Sequence, residues 1–267
     1  MSTGSVQTYM VEAYNLSHAS ENKIHDDAVA RKLGFTGGLV PGVEVYAYAT
    51  NLAVQRWGLD WLTRGRMEAR FLKPVYDGRM AQVTATPAGD TLDLKVESEG
   101  VLCATGMASL GPATTPPRVS EFAVRALPAE RPPADQASLV EGSWLTSRPV
   151  PVTPALAADY LRDIREAEPI YADRTIVHPG LLLRQCNMAL RDNVVLPPWI
   201  HTGSKVRNFA AGRVGDTLTV RAKVTANYER KGHRHVDLDC LVVADGGRVL
   251  AQVLHTAVYQ LRQLAAA

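Results

Sequence analysis

Apolar and polar residues alternate along much of this chain. The runs TLDLKVES (91–98), VLCATGMASL (101–110), TLTVRAKVTANYE (217–229), HVDLDCLVV (235–243) and VLAQVLHTAVYQL (249–261) keep a period near two. That spacing predicts strands with one face turned to a core. Turn-forming stretches at Pro87–Asp90, Glu99–Gly100 and Asp245–Gly247 separate neighbouring runs, so the strands are expected to pair antiparallel. One segment breaks the alternation. From Gly42 to Trp57, with Gly58 at its end, Val43, Val45, Tyr46, Ala47, Tyr48, Ala49, Leu52, Ala53 and Val54 place apolar or small residues on every face of a helix. A helix that is apolar all round is a buried one, and the setting this predicts is the inside of a curved antiparallel sheet.

The pattern occurs twice. VPGVEVYAYATNLAVQRWG opens at Val40 and precedes a strand containing Phe71, while HPGLLLRQCNMALRDN opens at His178 and precedes one containing Phe209. Gly42 pairs with Gly180 and Phe71 with Phe209 at one offset, 138, which argues for an internal duplication. Upstream, NKIHDD (22–27) matches EPIYAD (168–173) at an offset of 146, so the second copy lacks eight residues of a short helix and its glycine loop. Between the copies the composition turns to proline, alanine and charge, as in PATTPP (112–117) and LPAERPPAD (127–135). This predicts a connecting segment, with a short strand around Val119–Val124.

Composition narrows the function classes. With 29 basic and 27 acidic residues the formal charge is +2, which gives no overall nucleic-acid surface. Cys103, Cys186 and Cys240 are odd in number, far apart and outside any CxxC spacing, so reduced thiols, no structural metal and a cytoplasmic setting are expected. The N-terminus carries neither a basic n-region nor an apolar h-region, and no stretch approaches 18 uninterrupted apolar residues, so neither secretion nor membrane spanning is expected.

The stretch NKIHDDAVARKLGFTGGLVPG (22–42), followed by RFLKPVYDG (70–78), resembles the MaoC-like family that includes (R)-specific enoyl-CoA hydratases. The resemblance spans essentially the whole chain. It implies an α+β double hotdog, two antiparallel sheets each wrapped round a long central helix. Residues 1–111 would form the copy with the hydratase-like motif, 112–146 the connection and 147–267 a degenerate copy. It also implies chemistry on an acyl-CoA or acyl-carrier thioester, with no cofactor, and is compatible with a homodimer. In the family an aspartate and a histidine hold the water that adds to, or leaves, the β-carbon. Here His25 matches the histidine and Asn22 the motif asparagine, but Ser20 stands where the aspartate belongs. In the second copy Glu166, Glu168 and Tyr171 occupy the positions of Ser20, Asn22 and His25.

Two readings of His25 stand side by side. Asp26 and Asp27 open a short helix that closes with Arg31, Lys32 and Gly34, so His25 or Asp26 can serve as its cap. Alternatively, His25 titrates near neutrality and moves a proton, with Asn22 orienting the water and Ser20 or Glu21 assisting. The N–H groups opening the long helix, at Gly42 and Val43, with Gly38 and Tyr46 nearby, are candidates for binding the thioester oxygen. The glycines can equally serve close packing. Glu44 is expected to face solvent. Arg64, Arg66, Arg70, Lys73, Lys205 and Arg207 suit either CoA phosphates or a solvated strand face, and ERKGHRH (229–235) a hairpin tip. A hydratase or dehydratase is the leading expectation. A thioesterase using Glu44, Glu166 or Glu168, and a non-catalytic acyl-CoA binder, are the alternatives.

Overall fold

The computed structural model describes residues 5–262. Its elements run β1 (Gln7–Glu12), α1 (Asp27–Lys32), α2 (Gly42–Arg64), β2 (Gly65–Phe71), β3 (Met80–Ala88), β4 (Thr91–Ser98), β5 (Val101–Leu110), β6 (Trp144–Thr146), β7 (Val150–Pro151), α3 (Pro154–Asp163), α4 (Pro179–Arg191), β8 (Ile200–Asn208), β9 (Thr217–Arg230), β10 (His233–Ala244) and β11 (Arg248–Gln260). The alternating runs become strands as their period requires. In β4, Leu92, Leu94 and Val96 are buried while Asp93 and Lys95 are exposed. The edge strand β1, not anticipated from the pattern, pairs with β3.

The two expected sheets join edge to edge. Among the described residues there is a single 11-stranded sheet, in the order β1-β3-β4-β5-β2-β8-β11-β10-β9-β6, with β7 also on β9. The seam is the antiparallel pair β2–β8, where Met67 faces Val206 and Glu68 faces Lys205. Under the offset of 138, Lys205 is the counterpart of Met67 and Val206 that of Glu68. The copies therefore meet about a local two-fold axis through the middle of this ladder.

α2 is buried without interruption from Val43 to Val54, enclosed by strands of the sheet and by α4. Its helical geometry breaks where the sequence places Gly58, at φ 56° and ψ −139°, and then resumes to Arg64 with Trp61 fully buried. The connecting segment contains no strand at 119–124. A single 3₁₀ turn forms at Val119–Glu121 instead, and Phe122 packs onto Leu241, Val243 and Val249. Pro116 and Pro117, just upstream, supply no N–H for a ladder. Among the described residues no helix is long and apolar enough to cross a membrane.

Gly58 tests the kink. A Cβ there would meet nothing within 4 Å, but the backbone conformation is one that only glycine adopts without strain. Gly58→Ala is expected to lower unfolding free energy by about 1–3 kcal/mol, read by urea denaturation, with no change in the slope that reports exposed surface.

Candidate active site

His25 closes a single 3₁₀ turn, Lys23–His25, whose counterpart in the second copy is Pro169–Tyr171 at the expected offset of 146. The capping duty belongs to its neighbour: Asp26 Oδ1 accepts from Val29 N–H at 3.0 Å and so opens α1. Asp27 accepts from Gly38 N–H at 2.7 Å, which holds down the glycine loop. His25 is thereby free to turn inward, where its Nδ1 lies 2.7 Å from the carbonyl oxygen of Leu39. A carbonyl only accepts, so the neutral ring carries its proton on Nδ1 and leaves a lone pair on Nε2.

That lone pair faces Asn22, whose Nδ2 is 3.3 Å away. The orientation of the Asn22 amide is fixed by Trp199 in the second copy. Oδ1 accepts from Trp199 N–H at 3.2 Å, and Nδ2 donates to Trp199 O at 3.0 Å. Asn22 thus clamps one copy to the other and presents an N–H, not an oxygen, to His25. Burial pulls the His25 pKa down to about 4, with the Leu39 bond opposing and the nearby charges of Arg184 and His18 assisting. The ring is held neutral.

His25 lines a cavity of about 60 Å³ with Ser20, Asn22, Glu21, Arg184 and Trp199. Space of that size fits water-sized occupants. Ser20 Oγ donates to the carbonyl oxygen of Asn22 at 3.3 Å. Glu21 is ion-paired with Arg131 at 2.9 Å, and that bond holds its carboxyl below the ordinary range. Among the described residues no carboxylate pairs with His25.

The start of α2 lies beside this cavity, which Pro41 also lines. Glu44 and Val45 N–H turn back to the Pro41 carbonyl, no side chain caps the helix, and the N–H groups of Gly42 and Val43 have no acceptor among the described residues. Two N–H groups at the positive end of a helix dipole can stabilise an anionic oxygen. Gly42 serves packing as well, since a Cβ there would lie 3.0 Å from His201 Nδ1 and 3.1 Å from the Phe71 ring. Gly38 spends its N–H on Asp27, and Tyr46 lies in the core with its hydroxyl unpartnered. α4 begins differently: His178 Nδ1 accepts from Gly180 N–H at 3.1 Å and caps the helix.

Glu44, expected at the surface, is fully buried. Its partner is Arg184 of α4, which also donates to Ser17 Oγ. Burial pushes the Glu44 carboxyl up, against the pull of this guanidinium. Glu166, the counterpart of Ser20, is buried too, 3.4 Å from His178 Nε2, and bonded by Asn51 at 3.0 Å. Neither acid lines the cavity at His25. Of the basic residues, Arg66, Lys205 and Arg207 gather round one pocket on the β2–β8 seam, which His25 does not line; there Lys205 pairs with Glu68 and Arg207 bonds Thr114, while Arg64 pairs with Asp60. Sequence reading also passed over a buried chain under the seam, in which His201 Nε2 lies 2.8 Å from Ser204 Oγ and that oxygen 3.0 Å from His255 Nδ1. Histidines in strand register with a serine were its only signal.

Solved structures share this architecture. A conserved hypothetical protein from Mycobacterium tuberculosis with a double hotdog fold superposes with a TM-score of 0.67 at 15% identity, covering 97% of this chain and 96% of its own. The fold is the double hotdog. A protein assigned as a MaoC domain dehydratase from Chloroflexus aurantiacus gives 0.64 at 11% identity, over 96% of this chain and 95% of that one. The dehydratase domain of PpsC from Mycobacterium tuberculosis, solved with C12:1-CoA, gives 0.54 at 9% identity, over 96% and 94%. No protein-family model and no curated protein matches the sequence. Within this double hotdog the first copy keeps an open helix start beside a histidine, and the second does not.

Two measurements probe the site's electrostatics. The His25 pKa of about 4 lies below the ordinary 6.5, so between these values the unfolded chain takes up a proton that the folded ring refuses. This contribution to stability is complete above the upper value and lost as pH falls to the lower, about 3 kcal/mol in all. Urea denaturation as a function of pH is expected to show that fall reduced by this amount in His25→Gln. Arg184→Met strands the Glu44 carboxylate and is expected to cost about 3–5 kcal/mol, with part of the loss recovered by adding Glu44→Gln.

Proposed function

We propose that this double hotdog acts on an acyl thioester as a hydratase or dehydratase, with His25 exchanging the proton as water joins or leaves the β-carbon. The observation that carries the reading is the neutral His25, its Nδ1–H held by Leu39 and its Nε2 left as the acceptor, beside the uncapped start of α2. The thioester oxygen would take the N–H groups of Gly42 and Val43, and the small cavity would hold the water. Dehydratases among the structural neighbours, one bound to an acyl-CoA, support the substrate class. Ser20 in place of an acid removes one proton-transfer group, a change typically worth about 10²- to 10⁴-fold in rate, so turnover is slow.

A second reading is an acyl-thioester binding protein without turnover. It is favoured by Asn22, whose N–H occupies Nε2 and whose remaining bonds all go to the backbone. The buried settings of Glu44 and Glu166 give a thioesterase no such support.

Crotonyl-CoA hydration, followed by loss of enoyl-thioester absorbance, separates the two. Slow hydration is expected, reduced about 100-fold or more by His25→Ala. An unchanged rate in His25→Ala sinks the assignment to this residue. Thermal stabilisation by CoA esters without any turnover selects the binding reading.

A further inference from the structure

One wall of the His25 cavity is made by the second copy. Arg184, Asn187, Met188 and Arg191 all line it, and their spacing of i, i+3, i+4 and i+7 puts them on one face of α4. Two of the four are cations. The one acid on the lining is Glu21, and its carboxylate is held by Arg131, which stands outside the cavity. The α4 side of the cavity is therefore positive.

The fold does not use these groups up. The Arg191 guanidinium makes no hydrogen bond among the described residues, and the acid beside it, Asp192, lies 3.8 Å from Nε. Arg184 is anchored on Glu44 through one nitrogen, and the other makes longer bonds, 3.3 Å to Ser17 Oγ and 3.5 Å to Leu16 O. Asn187 is 8% exposed, and its Oδ1 is buried without a partner among the described residues. Buried polar atoms are seldom left unpaired without a reason. Size narrows the choice further: at about 15 Å³ for each group of water size, a cavity of about 60 Å³ holds roughly one water and one carboxylate.

We propose that the thioester this site takes carries a short acyl chain ending in a second carboxylate, which Arg184, Arg191 and Asn187 receive from α4. With the thioester oxygen at Gly42 and Val43 and the β-carbon at His25, as in the hydratase reading on which this rests, the next carbon along lies in the cavity. Arginine forks match a carboxylate in a way that a methyl end cannot use. A long aliphatic chain outgrows the space and sets hydrocarbon against both guanidiniums. Water adds across the double bond of such an unsaturated diacid monothioester: its oxygen bonds the β-carbon, a proton goes to the α-carbon and the π bond is lost.

Isothermal titration calorimetry with freshly prepared succinyl-CoA and butyryl-CoA tests this. Both have four acyl carbons and no double bond to hydrate, and they differ by a carboxylate against a methyl. Succinyl-CoA is expected to bind about tenfold tighter or more. Arg191→Gln is expected to bring the two affinities within about threefold of each other, while Arg191→Lys keeps part of the preference. Equal or tighter binding of butyryl-CoA overturns the proposal, as do a full preference surviving in Arg191→Gln and a failure of both esters to bind. In turnover, fumaryl-CoA is expected to be hydrated with kcat/KM about tenfold above that of crotonyl-CoA, and hydration no faster than crotonyl-CoA also overturns it. A succinyl-CoA preference without hydration of either enoyl thioester sinks the hydratase reading alone and leaves the carboxylate site in place.

Discussion

Everything in this molecule depends on the need to enclose α2. A helix buried continuously from Val43 to Val54 has no solvent face, and a sheet curled round one side cannot cover the other. α4 supplies the missing cover, and the β2–β8 ladder fixes α4 in place by making one sheet of two. Enclosure also explains the buried ion pair. Glu44 sits one turn into α2 and cannot reach water, so Arg184 from the opposing helix has to come to it. Pairing in this way limits the desolvation cost without abolishing it.

The two copies have divided the chemistry that their counterparts in sequence would hold together. Position 40 is valine and leaves the start of α2 open; position 178 is histidine and closes the start of α4 with its own ring. A carboxylate stands at 166 but not at 20, and a histidine at 25 but not at 171. Glu166 has taken His178 as neighbour, while His25 has taken the amide of Asn22. The acid at 166 thus has a histidine beside it, and the histidine at 25 has no acid among the described residues.

Much of the fold was legible in the chain because it rests on local periodicity. The alternation at 91–98, 101–110 and 217–261 gave strands, the all-round apolar run gave the buried helix, which bends at Gly58, its expected end, and runs on to Arg64, and the offset of 146 matched the turns at Lys23–His25 and Pro169–Tyr171. What escaped was made by residues distant in sequence. Glu44 reads as a surface acid until Arg184 is placed beside it, and Asn22 as a water ligand until Trp199 claims its amide. The same holds for the basic residues, since Lys73 and Arg230 share a pocket only because β8 and the β9–β10 hairpin fold over the end of β2. Asp26 was readable as a cap, and that local fact is what frees His25 to turn inward.

The β2–β8 seam joins two halves that are covalently one molecule. Its ladder therefore forms at an effective concentration set by the connecting chain, of the millimolar order for short flexible tethers, and dilution cannot dissolve it. Halves so tied need not stay alike: each can drift under separate selection, because the interface no longer requires one surface to recognise its own copy. An open helix start facing a capped one is an asymmetry that a symmetric pair of identical chains could not encode.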